Sequence, residues 1–489
     1  MLTTFLIAWP ICSALLVLVA GGARSKWMAL VSSLVQFVVT LSMLTQFQQG
    51  ADVQFSMNCV WISQLGIHYN VGVDGISMLV VLLTNLLLPL IILSSVRKSY
   101  DRPGLFYSLV LLMQAALVGV FVARDMFLYY IFWELALVPI YLIVMIWGAA
   151  NRVQVTFKFF IYTMLGSLLM LVGILYLYFL TPAPHSFDIN ILMATNPDRI
   201  SQGWIFWAFF IAFAIKMPIF PFHTWQPDTY TTAPAQGTML LSGIMLKMGI
   251  YSVIRWILPV VPMGVQDWGK VALVLSLIGI IYAAWIAITQ KDMKRLLAYS
   301  SMSHVGLISA AIFSLTVTGL QGSMIQMLSH GINVVGLFFI AQIIFDRTGT
   351  FDLPSLGGLM RKAPVLATLF MVILLGSVGL PLTNGFVGEF MMLAGTYQVS
   401  PWIAAVAGLT IIFSAVYMFR MYQASMLGEL KPGLENFEDL KTSETIVLGI
   451  IAILVVIIGV YPKPILDMTE PSITAILKAV GHQSIVLKY

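Results

Sequence analysis

The amino-acid sequence predicts an all-α protein that crosses a membrane about fourteen times. Of its 489 residues, 60% are hydrophobic and 9% are charged, with a mean hydropathy of +0.96, whereas about a quarter of the residues in a soluble domain are charged. Apolar runs of about 20 residues recur along the whole chain, which is the length that a membrane-spanning helix requires. These runs do not alternate polar and apolar residues, which argues against a membrane β-barrel.

The predicted spans follow one another through short loops, with no soluble domain between them. They lie at residues 2–20, 27–47, 73–95, 104–123, 126–148, 157–180, 203–223, 235–258, 268–289, 294–314, 319–345, 364–394, 402–425 and 444–461. The first run resembles a signal peptide, but its basic residues Arg24 and Lys26 follow the apolar segment, so we expect it to stay as the first span. A short helix at the membrane surface is expected after Tyr461.

Basic residues provide an independent test of this count, because Lys and Arg concentrate in cytoplasmic loops. Alternate loops are rich in them, with Arg24 and Lys26, then Arg97, Lys98 and Arg102, then Arg152 and Lys158, then Lys291, Lys294 and Arg295, then Arg347, Arg361 and Lys362, then Lys431 and Lys441. The opposite loops have few: Arg124, Arg199 and Lys270. This bias predicts that both termini lie on the outer side, and one missing span would destroy the alternation.

Two of the predicted spans contain residues that break helices. The seventh has Pro218 and Pro221 soon after Lys216, and the twelfth has several glycines and Pro381 before Glu389. Broken helices within a membrane usually line a polar cavity. The breaks lie five spans apart, which predicts two five-helix repeats with the second inverted relative to the first. The expected parts are the first three spans, the two repeats, and the last span with its tail, at residues 1–103, 104–258, 268–425 and 426–489.

Six ionisable residues lie within predicted spans, where charges are costly and usually lie on a proton or ion path. They are Glu134, Lys216, Lys247, His304, His330 and Glu389. Glu134 with a buried lysine is either a pair in which each proton occupancy depends on the other, or a static ion pair that fixes packing. A static pair would leave Lys247 unexplained. His304 and His330 are either relay groups or hydrogen-bonded core residues, and Glu389 is either a terminal proton carrier or a helix cap.

Other polar residues have simpler interpretations. Asp74 is expected either to cap the third span or to anchor a loop, and Lys294 and Arg295 are expected to mark the cytoplasmic interface. The two cysteines, Cys12 and Cys59, form no CxxC pattern, and no histidine has a metal-ligand partner one helical turn away. We therefore expect no metal and no cofactor bound by this chain. A nucleic-acid partner is not expected either, because the basic residues are spread over short loops.

Five sequence segments point to a known family. They are YNVGVDGIS, FWELALVPIYL around Glu134, KMPIFPFHTWQPD around Lys216, QKDMKRLLAYSSMSHVG around His304, and GLPLTNGFVGEF around Glu389. Over nearly its full length the chain resembles the antiporter-like membrane subunits of the bacterial proton-pumping NADH:quinone oxidoreductase, respiratory complex I. Glu389 stands where L- and N-type subunits tend to have lysine, and the chain has no long lateral helix like that of the L type. Both features favour the M branch of the family.

The resemblance implies a function as well as a fold. It implies that Glu134 and Lys216 form a coupled pair, that Lys247 and His330 continue a hydrated axis, and that Glu389 ends it. The partners would be the lipid of a bacterial inner membrane and flanking L- and N-type subunits, with quinone reduction elsewhere driving proton movement.

The chain departs from the family at one place, and alternative functions stay open. Many relatives have Ala-His where this chain has Thr229 and Tyr230, so a proton route through a histidine at that place is not expected here. The alternative functions are a subunit of a multisubunit Na⁺/H⁺ antiporter, a structural spacer between pumping neighbours, and a single-chain solute transporter.

Overall fold

The computed structural model describes residues 1–482, which form a bundle of helices with one small β-hairpin. The helices are α1 (Leu2–Ala20), α2 (Arg24–Gln46), α3 (Gly75–Ser94), α4 (Pro103–Val122), α5 (Met126–Trp147), α6 (Arg152–Leu180), α7 (Ile189–Thr195), α8 (Arg199–Lys216), α9 (Gln226–Thr232), α10 (Ala235–Val260), α11 (Pro262–Thr289), α12 (Met293–Ile312), α13 (Val317–Thr348), α14 (Pro364–Val378), α15 (Asn384–Val399), α16 (Pro401–Met426), α17 (Thr442–Val460) and α18 (Lys463–His482). The two strands are β1 (Gln54–Ile62) and β2 (Ile67–Val73).

Every predicted span coincides with one helix or with a broken pair of helices. Within residues 1–482, eleven helices are long and apolar enough to cross a membrane. The other three predicted spans are α12, which is more polar, and the two that contain breaks. The helical membrane architecture is thereby confirmed, and the count of fourteen stays a prediction.

Both predicted helix breaks are present. The helix α8 ends at Lys216, and the chain then turns irregularly for nine residues before α9 begins at Gln226. The helix α14 ends at Val378 and α15 begins at Asn384, with Gly379 (φ 76°) and Leu382 (φ 72°) between them. Pro218 cannot donate a backbone hydrogen bond, and Gly379 adopts the left-handed conformation that commonly ends a helix. The inverted repeat of helices around these breaks stays a prediction.

The hairpin was not predicted from the sequence. The strands β1 and β2 pair antiparallel, and a turn ending at Gly66 (φ 63°) joins them. Because β2 continues to Val73, the third span starts two residues later than predicted, at Gly75. The capping role of Asp74 is confirmed, since its carboxylate accepts a hydrogen bond from the backbone N–H of Ser77 at 3.0 Å.

The most deeply buried helices define the centre of the bundle. The helices α10, α12 and α13 are buried almost throughout, whereas fewer than half of the residues of α1, α2 and α16 are buried. The helices α10 and α13 contact each other directly, so any polar side chain where they meet is far from solvent. The surface helix predicted after Tyr461 corresponds to α18, which packs on α3 and α13.

Candidate functional site

The first ionisable side chain of the site lies on α5. Asp125 begins this helix by accepting hydrogen bonds from the backbone N–H groups of Phe127 and Leu128, each at 3.0 Å. Two turns further on, Glu134 is half-buried, and its Oε1 atom has no hydrogen-bond partner within residues 1–482. The carboxylate is therefore held at membrane depth with an unused acceptor.

Lys216 is the last residue of α8 and only 3% exposed. Its ammonium lies 5.3 Å from the centre of the Trp133 ring, a cation–π contact. Within residues 1–482, no ion pair of 4.0 Å or less joins Lys216 to Glu134. The residue adjacent to Glu134 thus contacts Lys216, while the two charged groups themselves stay apart.

Lys247 is fully buried on α10, between two π-helical turns at Leu241–Met245 and Val253–Ile257. Its Nζ donates to the Ser242 carbonyl at 2.7 Å and lies 2.9 Å from Nδ1 of His330. Wider π turns within α-helices occur often at functional sites. In this chain they accompany a lysine that is hydrogen-bonded to a histidine on another helix.

Two glycines allow α10 and α13 to come close enough for that contact. A Cβ atom on Gly331 would lie 2.9 Å from the Gly243 carbonyl oxygen, and one on Gly243 would lie 2.6 Å from a methyl group of Val335. Small residues at such crossings are the usual way in which membrane helices approach closely. The crossing lies next to the Lys247–His330 pair.

The line of ionisable groups continues from α13 to α12 and α15. The rings of His330 and His304 are 6.0 Å apart, centre to centre. Nδ1 of His304 lies 3.3 Å from Oε1 of Glu389, which is ion-pair distance, although the two groups are not aligned for a hydrogen bond. All three side chains are buried, with exposed fractions of 6%, 2% and 1%.

A narrow cavity of about 10 Å³ lies beside the two histidines, at the lower limit of the volume that one water needs. Its polar lining comes from Ser300, Ser301, His304, Gln326, His330, Asn333 and Ser377. Gln326 and Asn333 were missed in the sequence, although they lie one turn before and one turn after His330 on α13. Their spacing of four and three residues places them on the same helix face, which is the signal that identifies them.

The helix break before α15 sets the position of Glu389. This residue is the sixth of α15, beyond the first turn, where a carboxylate no longer acts as a helix cap. The capping alternative is therefore wrong. A Cβ atom on Gly379 would lie 2.3 Å from Oε2 of Glu389, so the break also makes room for the carboxylate.

Lys294, which was expected to mark the cytoplasmic interface, has a buried side chain. The side chain is 4% exposed, and its Nζ donates to the carbonyls of Ala233 at 2.7 Å and Thr231 at 3.3 Å. Both carbonyls lie at the C-terminal end of α9, where carbonyl groups lack intrahelical hydrogen-bond partners and a cation is favourable. Lys294 thus stabilises the second half of a broken span.

A buried histidine not singled out in the sequence lies within the first break. His223 is 3% exposed, its ring centre lies 5.1 Å from that of Tyr282, and Nδ1 has no hydrogen-bond partner within residues 1–482.

Thr229 and Tyr230 are buried on α9, so the sequence difference from many relatives at these two positions lies inside the bundle. In the described part of the chain, no three His, Cys, Asp or Glu side chains are grouped to hold a metal.

Comparison with known proteins fits this geometry. The model of the family described as "NADH:quinone oxidoreductase/Mrp antiporter, TM" matches residues 123–458. The NADH-quinone oxidoreductase subunit M of Rickettsia conorii is 40% identical over 457 residues, covering 92% of each chain.

Two solved structures show the same fold. A chain of respiratory complex I from Thermus thermophilus, with bound NADH, has a TM-score of 0.91 and 30% identity, over 98% of this chain and 100% of that chain. A chain of the Mrp complex from Dietzia has a TM-score of 0.87 at 20% identity, over 98% of each chain, and this likeness concerns the fold alone. The chain therefore belongs to the NADH:quinone oxidoreductase/Mrp antiporter transmembrane family.

Proposed function

We propose that this chain is an antiporter-like membrane subunit of an NADH:quinone oxidoreductase, corresponding to subunit M, and that it moves protons across the membrane. The observation that supports this most strongly is the buried line from Lys247 through His330 and His304 to Glu389. Buried ionisable groups are costly in a membrane protein, and four of them in sequence are hard to explain by packing alone.

The proposed cycle begins at Glu134 and Lys216. A carboxylate close to the ammonium favours its charged form, so Glu134 approaching Lys216 holds the proton there, and separation releases it. The observed arrangement, without an ion pair, corresponds to the separated state. Lys216 is at the end of α8, where the irregular residues after it allow the side chain to shift without bending an intact helix.

The released proton is then transferred to Lys247, which transfers it to His330. The 2.9 Å contact between Nζ and Nδ1 is short enough for direct proton transfer. An imidazole can accept a proton on one nitrogen and release one from the other, and Nε2 of His330 has no hydrogen-bond partner within residues 1–482. Water in the adjacent cavity would carry the proton to His304, and Glu389 would receive it last.

The subunit itself performs no redox step in this proposal. Quinone reduction elsewhere in the complex drives the cycle, and no cofactor is held by this chain. We further propose that L- and N-type subunits flank it, that the complex lies in a bacterial inner membrane, and that both termini are on the outer side. The Na⁺/H⁺ antiporter alternative shares the fold, but the identity of the chain to the complex I structure is 30% against 20% for the Mrp structure.

Isolation of the native assembly tests this assignment. The complex would be purified from its own membrane through a tag on this chain, and its flavin, iron and NADH:quinone oxidoreductase activity measured. We expect flavin- and iron–sulfur-containing subunits to purify with it. An assembly of membrane subunits alone, without NADH oxidation, would favour the antiporter.

A further inference from the structure

A second polar pocket, separate from the buried line, lies where the hairpin, α7, α10 and α18 meet. Its volume is about 150 Å³. The charged groups that line it are Arg124, Arg255 and Asp74, and further lining comes from Asn190 on α7 and from Ser472 and Ala475 on α18. The proton path described above uses none of these residues.

One guanidinium and the carboxylate in this pocket already satisfy each other. Nη2 of Arg255 donates to Oδ1 of Asp74 at 2.6 Å, and both side chains are buried, at 7% and 6% exposed. Arg255 also donates to Tyr251 Oη at 3.2 Å and to Ser77 Oγ at 3.1 Å. This pair is a complete structural unit that ties α10 to the start of α3.

The other guanidinium has no such partner. Arg124 lies between α4 and α5, half-buried, and within residues 1–482 its side chain makes no hydrogen bond or ion pair. Its backbone is fixed, because its N–H donates to the Asn70 carbonyl at 2.9 Å and its carbonyl accepts from Ile189 at 3.1 Å. The side chain is therefore held at the pocket by ordered backbone.

The electrostatic surroundings leave Arg124 uncompensated. Burial lowers its pKa, and Arg255 lowers it further, while Asp74 and Asp188 oppose this only in part. Both carboxylates are engaged elsewhere, Asp74 with Arg255 and Asp188 with the Asn70 amide at 2.7 Å. A partly buried cation without a partner is unfavourable, and an anion in the pocket would remove that cost.

We propose that this pocket binds one phosphate group, with the guanidinium of Arg124 as its principal ligand. Guanidinium presents paired donors that match phosphate oxygens, and the pocket is large enough for the group and a few waters. The amphipathic helix α18 forms one wall, so the phosphate belongs either to a lipid headgroup or to the free ion. The proposal is independent of the proton path.

Binding to the purified whole complex tests the proposal. Radiolabelled inorganic phosphate would be measured on delipidated wild-type complex, on Arg124→Gln, and on Arg199→Gln as control. Arg199 is also an arginine at a helix end, as the first residue of α8, but it is 66% exposed and pairs with Asp267 outside the pocket. We expect Arg124→Gln to lose one phosphate per complex, or to bind it at least tenfold more weakly, and Arg199→Gln to match the wild type.

A second measurement distinguishes a lipid headgroup from free phosphate as the bound group. If phosphatidylglycerol displaces the labelled phosphate, and native mass spectrometry shows that Arg124→Gln retains one lipid fewer than the wild type, the bound group is a lipid headgroup. Saturable phosphate binding that phosphatidylglycerol does not displace identifies the free ion. Equal phosphate and lipid binding by wild type and Arg124→Gln overturns the proposal. If Arg124→Gln fails to assemble, Ala475→Phe fills the pocket and leaves its charges, and unchanged binding by that variant overturns the proposal equally.

Discussion

At the scale of single residues, the sequence identified the ionisable groups of the site but not their contacts. Lys216, Lys247, His304, His330 and Glu389 are all buried, as charges inside apolar runs predict. What sequence could not give is that Lys247 touches His330 and that His304 touches Glu389, because 83 and 85 residues separate the members of each pair. Proximity across such distances depends on helix packing, for which one sequence carries no direct signal.

Glu389 gives a prediction at this scale. Glutamine has nearly the same size but cannot take up a proton, whereas aspartate can. If the carboxylate carries protons, Glu389→Gln should lose most of the NADH-driven proton uptake in inverted vesicles, and Glu389→Asp should keep part of it. Equal uptake by Glu389→Gln and wild type, with assembly verified on native gels, would show that titration at this position is not needed.

At the scale of helices, the two helix breaks were predictable from the sequence, whereas the π turns, the hairpin and the burial of Lys294 were not. Proline after Lys216 and glycine before Glu389 predict irregular backbone, and both helix breaks are present in the structure. The π turns of α10 and the hairpin have no comparable signature in the sequence. The burial of Lys294 was not predictable either, because a lysine near a helix end usually lies at the surface, whereas here its ammonium donates to carbonyls at the end of α9.

The close approach of Gly379 to Glu389 gives a prediction for the second break. Gly379→Ala would strain a left-handed backbone, at a cost of about 1–2 kcal/mol, and would also push a methyl group against the Glu389 carboxylate. Gly349→Ala is a matched control, since Gly349 has φ 74° but no heavy atom within 4 Å of an added Cβ. We expect both variants to be less stable to heat and only Gly379→Ala to lose proton uptake. Equal loss in both would assign the effect to backbone strain alone.

At the scale of the whole molecule, hydropathy alone predicts most of the architecture, because a bilayer requires each span to satisfy its own backbone hydrogen bonds. That requirement fixes where helices lie along the chain, and all predicted spans coincide with helices. It does not fix which helices become central. The helices α10, α12 and α13, which carry Lys247, His304 and His330, are all buried almost throughout, which reflects a polar axis enclosed by apolar neighbours.

The orientation of the molecule is predicted by its basic loops. A reporter that is active only in the cytoplasm should be silent when fused after Tyr489 and active when inserted near Glu435, in the exposed loop between α16 and α17. The reverse pattern would contradict the assigned orientation. Activity at both positions, or at neither, would contradict the predicted number of spans.

The claim that the buried line carries protons is tested most directly by the ratio of protons taken up to NADH oxidised. Lys216→Met and Lys247→Met keep an unbranched side chain of similar size and remove the charge. Lys294→Met is the matched control, because this third buried lysine donates only to backbone carbonyls of the α9 end. We predict that the ratio falls in the first two variants and stays at the wild-type value in the third. A wild-type ratio in Lys247→Met, or an equal fall in all three, would contradict the account.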